Sequence, residues 1–168
     1  AGINLSYSDE KIFEGYAEDI NCGEKTGLSS ALFVNENCKK IYGEIKDSEF
    51  IRGNVPMTKS EIRTLSVSKL GLDNNSILYD VGAGTGSVSV AAALLCPDIK
   101  VYAIEKNMDA VELIKKNKIK FCADNIEIIE GEASAALDNI AENPTNVFIG
   151  GSGGRMSDIV SKIVNKNR

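Results

Sequence analysis

From residue 76 onward, short apolar runs alternate with stretches whose apolar positions recur at helical spacing. Such runs, bounded by turn residues, predict buried strands, and the 3.6-residue period predicts helices packed on them. The pattern places strands over 77–81, 100–105, 126–129 and 146–149 and helices over 87–95, 109–121, 134–141 and 156–166. Strict β-α alternation implies an α/β fold with a doubly wound, mostly parallel sheet. Upstream, Pro56 and Thr58 open a helix in which Ile62, Leu65, Val67 and Leu70 lead to a stop at Gly71. Thr58, with Glu61 three residues on, has capping-box spacing and is the expected N-cap.

Residues 1–37 read differently. A strand-like piece covers 11–15, a helical turn 16–20, a polar loop 23–27 and a second strand 28–34. Two strands and a turn cannot bury a core alone. This piece is therefore a hairpin decorating the main domain or the tail of a neighbouring one. Residues 38–54 are charged and read as a linker, and 55–168 as the main domain.

The strand over 77–81 runs into Gly82, Ala83, Gly84, Thr85 and Gly86 and then into a helix. That is the strand-to-helix turn of a nucleotide-binding α/β unit. Gly82 permits the tight turn, Gly84 lets backbone approach a ligand, and Gly86 lets the helix start close to the strand. Amides at the helix start are expected to be free for a polar ligand. A dinucleotide fingerprint would put its third glycine at position 87, where this chain has Ser87. The G-x-G-x-G spacing, with Asp80 ahead of it, resembles the S-adenosylmethionine (SAM) loop of class I methyltransferases.

Composition narrows the chemistry. A net charge of -5 and few aromatics argue against a nucleic-acid binder. No apolar run reaches membrane-helix length and no basic-then-apolar leader opens the chain, so a cytoplasmic protein without membrane contact is expected. The chain has no histidine, which removes the usual general base and any Ser-His-Asp arrangement. Cys22, Cys38, Cys96 and Cys122 form no C-x-x-C pair and read as reduced, buried thiols, with no metal site.

Ligands of open parallel sheets sit beyond the carboxyl ends of the strands. Glu105 ends the second strand, where a carboxylate can accept from both ribose hydroxyls. Glu132 and Ala133 follow the third and can bracket an adenine; a helix-dipole acid is the plainer alternative for Glu132. Gly150, Gly151, Ser152, Gly153 and Gly154 follow the fourth. Four glycines in five residues are costly in backbone entropy, so close approach to something large across the cleft from the methyl donor is one explanation, and a flexible loop is the plainer alternative.

These residues resemble a known family. The stretch Val55-Pro56-Met57-Thr58-Lys59-Ser60-Glu61-Ile62-Arg63, the glycine turn, Val101-Tyr102-Ala103-Ile104-Glu105 and Phe148-Ile149 with the second glycine cluster are similar to the cobalt-precorrin-6B C15-methyltransferase (decarboxylating) family of cobalamin biosynthesis. The resemblance covers about 49–168. More weakly, 4–15 resemble the end of the C5-methylating tetrapyrrole methylase domain that precedes the C15 enzyme in fused precorrin-6Y C5,15-methyltransferases. The resemblance implies a class I SAM-dependent fold and methylation of C15 of a precorrin or cobalt-precorrin, with loss of carbon dioxide from the C12 acetate. It also implies a homo-oligomer, since related enzymes are tetramers. Thr58, Gly82, Ala83, Gly84, Thr85, Gly86, Glu105, Glu132 and Ala133 would contact SAM, and residues 150–154 would border the tetrapyrrole. Arg63 or Arg155 would pair a substrate carboxylate, unless each is a surface arginine.

Two departures stand out. The family tends to have Gly-Asp-Ala where this chain has Gly131-Glu132-Ala133. A class I sheet has strand order 3-2-1-4-5-7-6, and this chain stops one helix after its fourth strand. The expectation is a C-terminally incomplete domain whose fourth strand is a bare edge unless the front hairpin or another chain covers it, with weak SAM binding by the isolated piece. The rival readings are a NAD(P)-dependent Rossmann oxidoreductase and a non-catalytic SAM-fold assembly module.

Overall fold

A computed structural model describes residues 2–3, 11–16, 29–30 and 44–166. The chain divides into two compact units, Ala1–Cys38 and Lys39–Arg168. In the first, β1 (Gly2–Ile3) pairs antiparallel with both β2 (Lys11–Ile12) and β3 (Ser29–Ser30). The strand at Gly2–Ile3 was not expected, and the sheet has three strands among the described residues where the pattern suggested a hairpin. Cys22, Cys38, residues 17–20 of the expected turn and most of 28–34 lie outside the described residues.

The second unit holds α1 (Ser60–Leu70), β4 (Ile77–Val81), α2 (Ser87–Leu95), β5 (Lys100–Glu105), α3 (Met108–Lys120), β6 (Ile126–Glu130), α4 (Ala133–Ala136), β7 (Asn146–Ile149) and α5 (Met156–Lys166). The helix expected over 134–141 is shorter. It continues as a 3-10 turn, Leu137–Asn139. The strands run parallel in the order β6-β5-β4-β7, the 3-2-1-4 part of a class I sheet.

Alternation within the strands builds two cores. Leu78, Val101 and Ala103 point to one face and pack with Val88, Val90 and Ile114 of α2 and α3. Tyr79, Val81, Tyr102 and Ile104 point to the other and pack with Ala136 of α4, Leu137 of the 3-10 turn and Ile159 of α5. Burial on both faces explains why these strands read as continuous apolar runs. Among the described residues β7 pairs only with β4, and its four residues are half-buried.

Upstream of β4, the described part of the 38–54 stretch, from 44 on, packs into the second unit. It carries a 3-10 turn, Asp47–Glu49, and buries Ile45 and Phe50. Thr58 is not the cap: Lys59 holds the N-cap position of α1 without a side-chain hydrogen bond. The helix stops as expected at Gly71, in the left-handed conformation. Its buried residues are Ser60, Arg63 and Val67, while Ile62 and Leu65 are more than half exposed.

Candidate active site

At the carboxyl end of β4 the chain turns through Gly82, Gly84 and Gly86, each at positive φ (72°, 58° and 75°). The turn is tied down by its own backbone. The Gly82 and Ala83 amides donate to the Ile104 carbonyl at 2.9 and 3.1 Å, and the Gly86 amide to that of Ala83. The Gly84 amide donates to Glu105 Oε2 at 2.9 Å. These four loop amides are therefore spent within the protein, ahead of the helix start to which the expectation of free amides applied. Ordering the loop before a ligand arrives uses them.

Glu105 is the staple of the site. Its Oε1 accepts from the Lys106 and Asn107 amides, both at 2.9 Å, and Oε2 from Gly84. A carboxylate has about four acceptor positions, so one remains on Oε2 for a hydroxyl.

The cleft beyond these strand ends has a volume of about 440 Å³, within the range of small-molecule sites. Gly82, Ala83, Gly84 and Glu105 form one wall, Glu132 and Ala133 another, and Gly150, Gly151, Ser152 and Gly153 a third, with Thr58 on the rim. Three sequence-predicted residues are not on its walls. Thr85 is buried, and Gly86 faces the Ile114 side chain, 3.1 Å from where its Cβ would be. Gly154 is exposed at φ 83°.

The second glycine cluster has a partner inside the protein. A Cβ on Gly82 would lie 2.5 Å from the Gly151 carbonyl oxygen and 2.7 Å from its nitrogen. The Gly150 and Gly151 amides both donate to the Val81 carbonyl, at 2.9 and 3.2 Å. The close approach attributed to a large ligand is, at these two positions, an approach to the first loop. Ser152 and Gly153 remain on the wall.

A strap, residues 45–58, roofs the first loop; the Pro56 carbonyl is 3.0 Å from where a Cβ of Gly84 would be. Two buried polar side chains hold it. Arg63, only 1% exposed, donates to the carbonyl of Ile45, to Asp47 Oδ1 at 3.1 Å and to the Thr58 carbonyl at 2.7 Å. Its guanidinium also lies over the Phe50 ring at 4.7 Å. Arg63 is therefore neither a substrate ligand nor a surface arginine. Arg155 is exposed and off the cleft walls.

Asn117 on α3 makes the second attachment. Its amide donates to the Ile51 and Thr85 carbonyls at 3.1 and 3.0 Å, and its oxygen accepts from the Ile51 amide at 2.8 Å. Sequence reading passed over it as one polar residue in a lysine-rich helix. Its signal was position: it lies three residues after Ile114 and four before Phe121, on the apolar stripe.

Asp80 was also missed as a site-supporting residue. It is buried, with Oδ2 accepting from Ser89 Oγ at 2.5 Å and Oδ1 without a partner. Burial pushes its carboxyl up to about 6, against the Ser89 hydrogen bonds and with the Glu105 charge adding to the rise. Lys106 follows Glu105 onto the cleft wall and pairs with Glu132 at 3.2 Å.

Comparison with known proteins places this architecture. Residues 49–168 match the family model of the precorrin methyltransferase domain. The cobalt-precorrin-6B C(15)-methyltransferase (decarboxylating) of Salmonella typhimurium is 48% identical over 117 residues, 69% of this chain and 59% of that protein. The crystal structure of precorrin-6Y C5,15-methyltransferase from Geobacter metallireducens superposes with a TM-score of 0.70 at 36% identity, covering 74% of this chain and 66% of that one. A precorrin 8W decarboxylase from Methanobacterium thermoautotrophicum gives 0.67 at 34% identity, covering 73% and 66%. The chain thus spans about 59% of the length of the Salmonella relative. Glycine turn, strand order and sequence agree, and the oxidoreductase alternative falls with them: the chain has a class I methyltransferase fold and belongs to the precorrin methyltransferase family.

Proposed function

We propose that this chain carries the methyl-donor site and one acceptor wall of a SAM-dependent C-methyltransferase. Its reaction would methylate C15 of a precorrin-6-type tetrapyrrole and release the C12 acetate carboxyl as carbon dioxide. The observation that carries the reading is the contact of Gly82 with Gly151, which joins the donor loop and the second glycine loop around one cleft. Relatives similar to this chain bear the names of precorrin methyltransferases.

The residues present fit such a donor. Glu105 keeps an acceptor position for a ribose hydroxyl, and Glu132 can accept from an adenine amine once Lys106 swings away. Ile104, Met57 and Ala133 offer apolar surface to a flat ring. When bound, SAM supplies a methyl group on a sulfonium, an electrophile that needs no acid catalyst.

The chain's own part is to align and to exclude water. Glu105 holds the Gly84 peptide in place, and residues 55–58 close the cleft above it. An electron-rich bridge carbon can attack without prior deprotonation, which suits a chain with no histidine. The C–C bond to the acetate carboxyl breaks with its electron pair passing into the conjugated macrocycle. Residues 150–153 border that acceptor.

Residues 1–37 belong, in this reading, to a preceding C5-methylating tetrapyrrole methylase domain. The split between two compact units supports it. The functional unit is a homo-oligomer that acts on a small tetrapyrrole and contacts neither nucleic acid nor membrane.

The test is incubation of the full-length protein with ¹³C-methyl SAM and cobalt-precorrin-6B. The expected result is label at C15 with one carbon dioxide released per methyl. Donor binding without turnover would favour the assembly module, and binding of NADH in place of SAM would overturn the donor site.

A further inference from the structure

We propose that Asn117 is a positioning residue for the donor site, locking the first glycine loop to the strap that roofs it. The inference rests on the donor-site reading above and adds a residue that lies outside the cleft.

Asn117 is fully buried in α3, where asparagine is a poor helix former and a buried amide is costly unless bonded. Every bond it makes beyond its own helix serves one of two segments. One is the glycine loop, through the Thr85 carbonyl. The other is the strap, through both the N–H and C=O of Ile51. Its only described regular structure is the turn Asp47–Glu49, so no strand or helix ladder satisfies the Ile51 peptide.

A few residues on, the strap reaches Pro56, whose carbonyl closes over Gly84. Thr58, at its far end, is held by Arg63. Arg63 and Asn117 thus both hold the roof, alongside Lys120, which donates to the Glu49 carbonyl, and Asn117 is the anchor shared with the loop beneath. Losing it would let the roof lift from Gly84 and leave the Thr85 carbonyl unheld. Donor affinity would then fall while chemistry at saturating donor stays intact.

The experiment compares Asn117→Leu with Val67→Ala in the full-length protein. Val67 is buried in α1 away from the cleft and serves as a control for lost stability. S-adenosylhomocysteine is the probe, titrated by calorimetry, with hydrogen exchange read over residues 51–58. Asn117→Leu should raise Kd at least about ten-fold, with KM for SAM rising in step, kcat changing little and exchange over 51–58 accelerating. Val67→Ala should lower Tm while shifting Kd less than about two-fold. Should Asn117→Leu not fold, Asn117→Ser is expected to show the same pattern in weaker form. Unchanged Kd in the asparagine variants, or an equal loss in Val67→Ala, would overturn the proposal. A wild-type protein that does not bind the probe would overturn the donor reading instead, and the exchange pattern would still judge the anchor.

Discussion

Gly82 and Gly151 touch backbone to backbone: a Cβ on Gly82 would stand 2.5 Å from the Gly151 carbonyl oxygen, inside any permissible contact. The relation is one-sided. A Cβ on Gly151 would meet the Gly82 Cα at 3.9 Å, ordinary van der Waals distance. Two glycines of similar appearance in sequence therefore carry unequal constraints.

Gly82→Ala should be destructive. It adds strain at φ 72° to a collision with backbone that cannot swing aside. The expected cost is on the order of 2–4 kcal/mol, with loss of donor binding. Gly151→Ala should stay within about 0.5 kcal/mol of wild type. Urea unfolding of both variants, with S-adenosylhomocysteine titration, checks the asymmetry; equal effects would contradict it.

Glu105→Gln removes one acceptor oxygen and places an NH₂ against an amide that now donates to the carboxylate. Either Gly84 or the Lys106-Asn107 pair loses its partner. Donor affinity should drop about ten-fold or more, measured by calorimetry, while melting temperature changes little because the group is at the surface of the cleft.

Asp80 gives a pH signature. Burial raises its carboxyl from the ordinary 3.8 to about 6. The native state therefore binds the proton more tightly than the unfolded chain, and stability falls as pH rises from about 4 to about 6. Above that window the buried charge is a constant penalty. Asp80→Asn removes it, so the variant should gain stability relative to wild type as pH goes from 4 to 7, by on the order of 2 kcal/mol. Denaturation of both proteins across this range tests the sign, and a parallel pair of curves would refute it.

Arg63→Met keeps the apolar stem but leaves the Ile45 and Thr58 carbonyls and Asp47 without their donor. A loss of about 2–4 kcal/mol follows from stranding these acceptors. Arg63→Lys should recover only part of it, since an ammonium cannot span all three from one planar fork. Chemical denaturation of the two variants separates lost charge from lost geometry.

Much of this protein is determined by its sequence alone. The strands at 77–81, 100–105 and 146–149 and the helices at 87–95 and 156–166 have the bounds that the apolar pattern predicts, because burial on both faces of a parallel sheet leaves little ambiguity about its strands. The glycine turn and Glu105 were legible because their spacing from a strand end is local. Tertiary structure alone decided what those glycines pack against. Gly82 answers to Gly151, Gly84 to Pro56 and Gly86 to Ile114, each partner brought by another element. It also decided that Arg63 and Asn117 are buried anchors and that 45–54 packs into the second unit. Hydrogen bonds spanning 66 residues, such as Ile51 to Asn117, leave no periodic trace in a chain. The second glycine cluster changes meaning most: part of what looked like room for a ligand is room for the first loop.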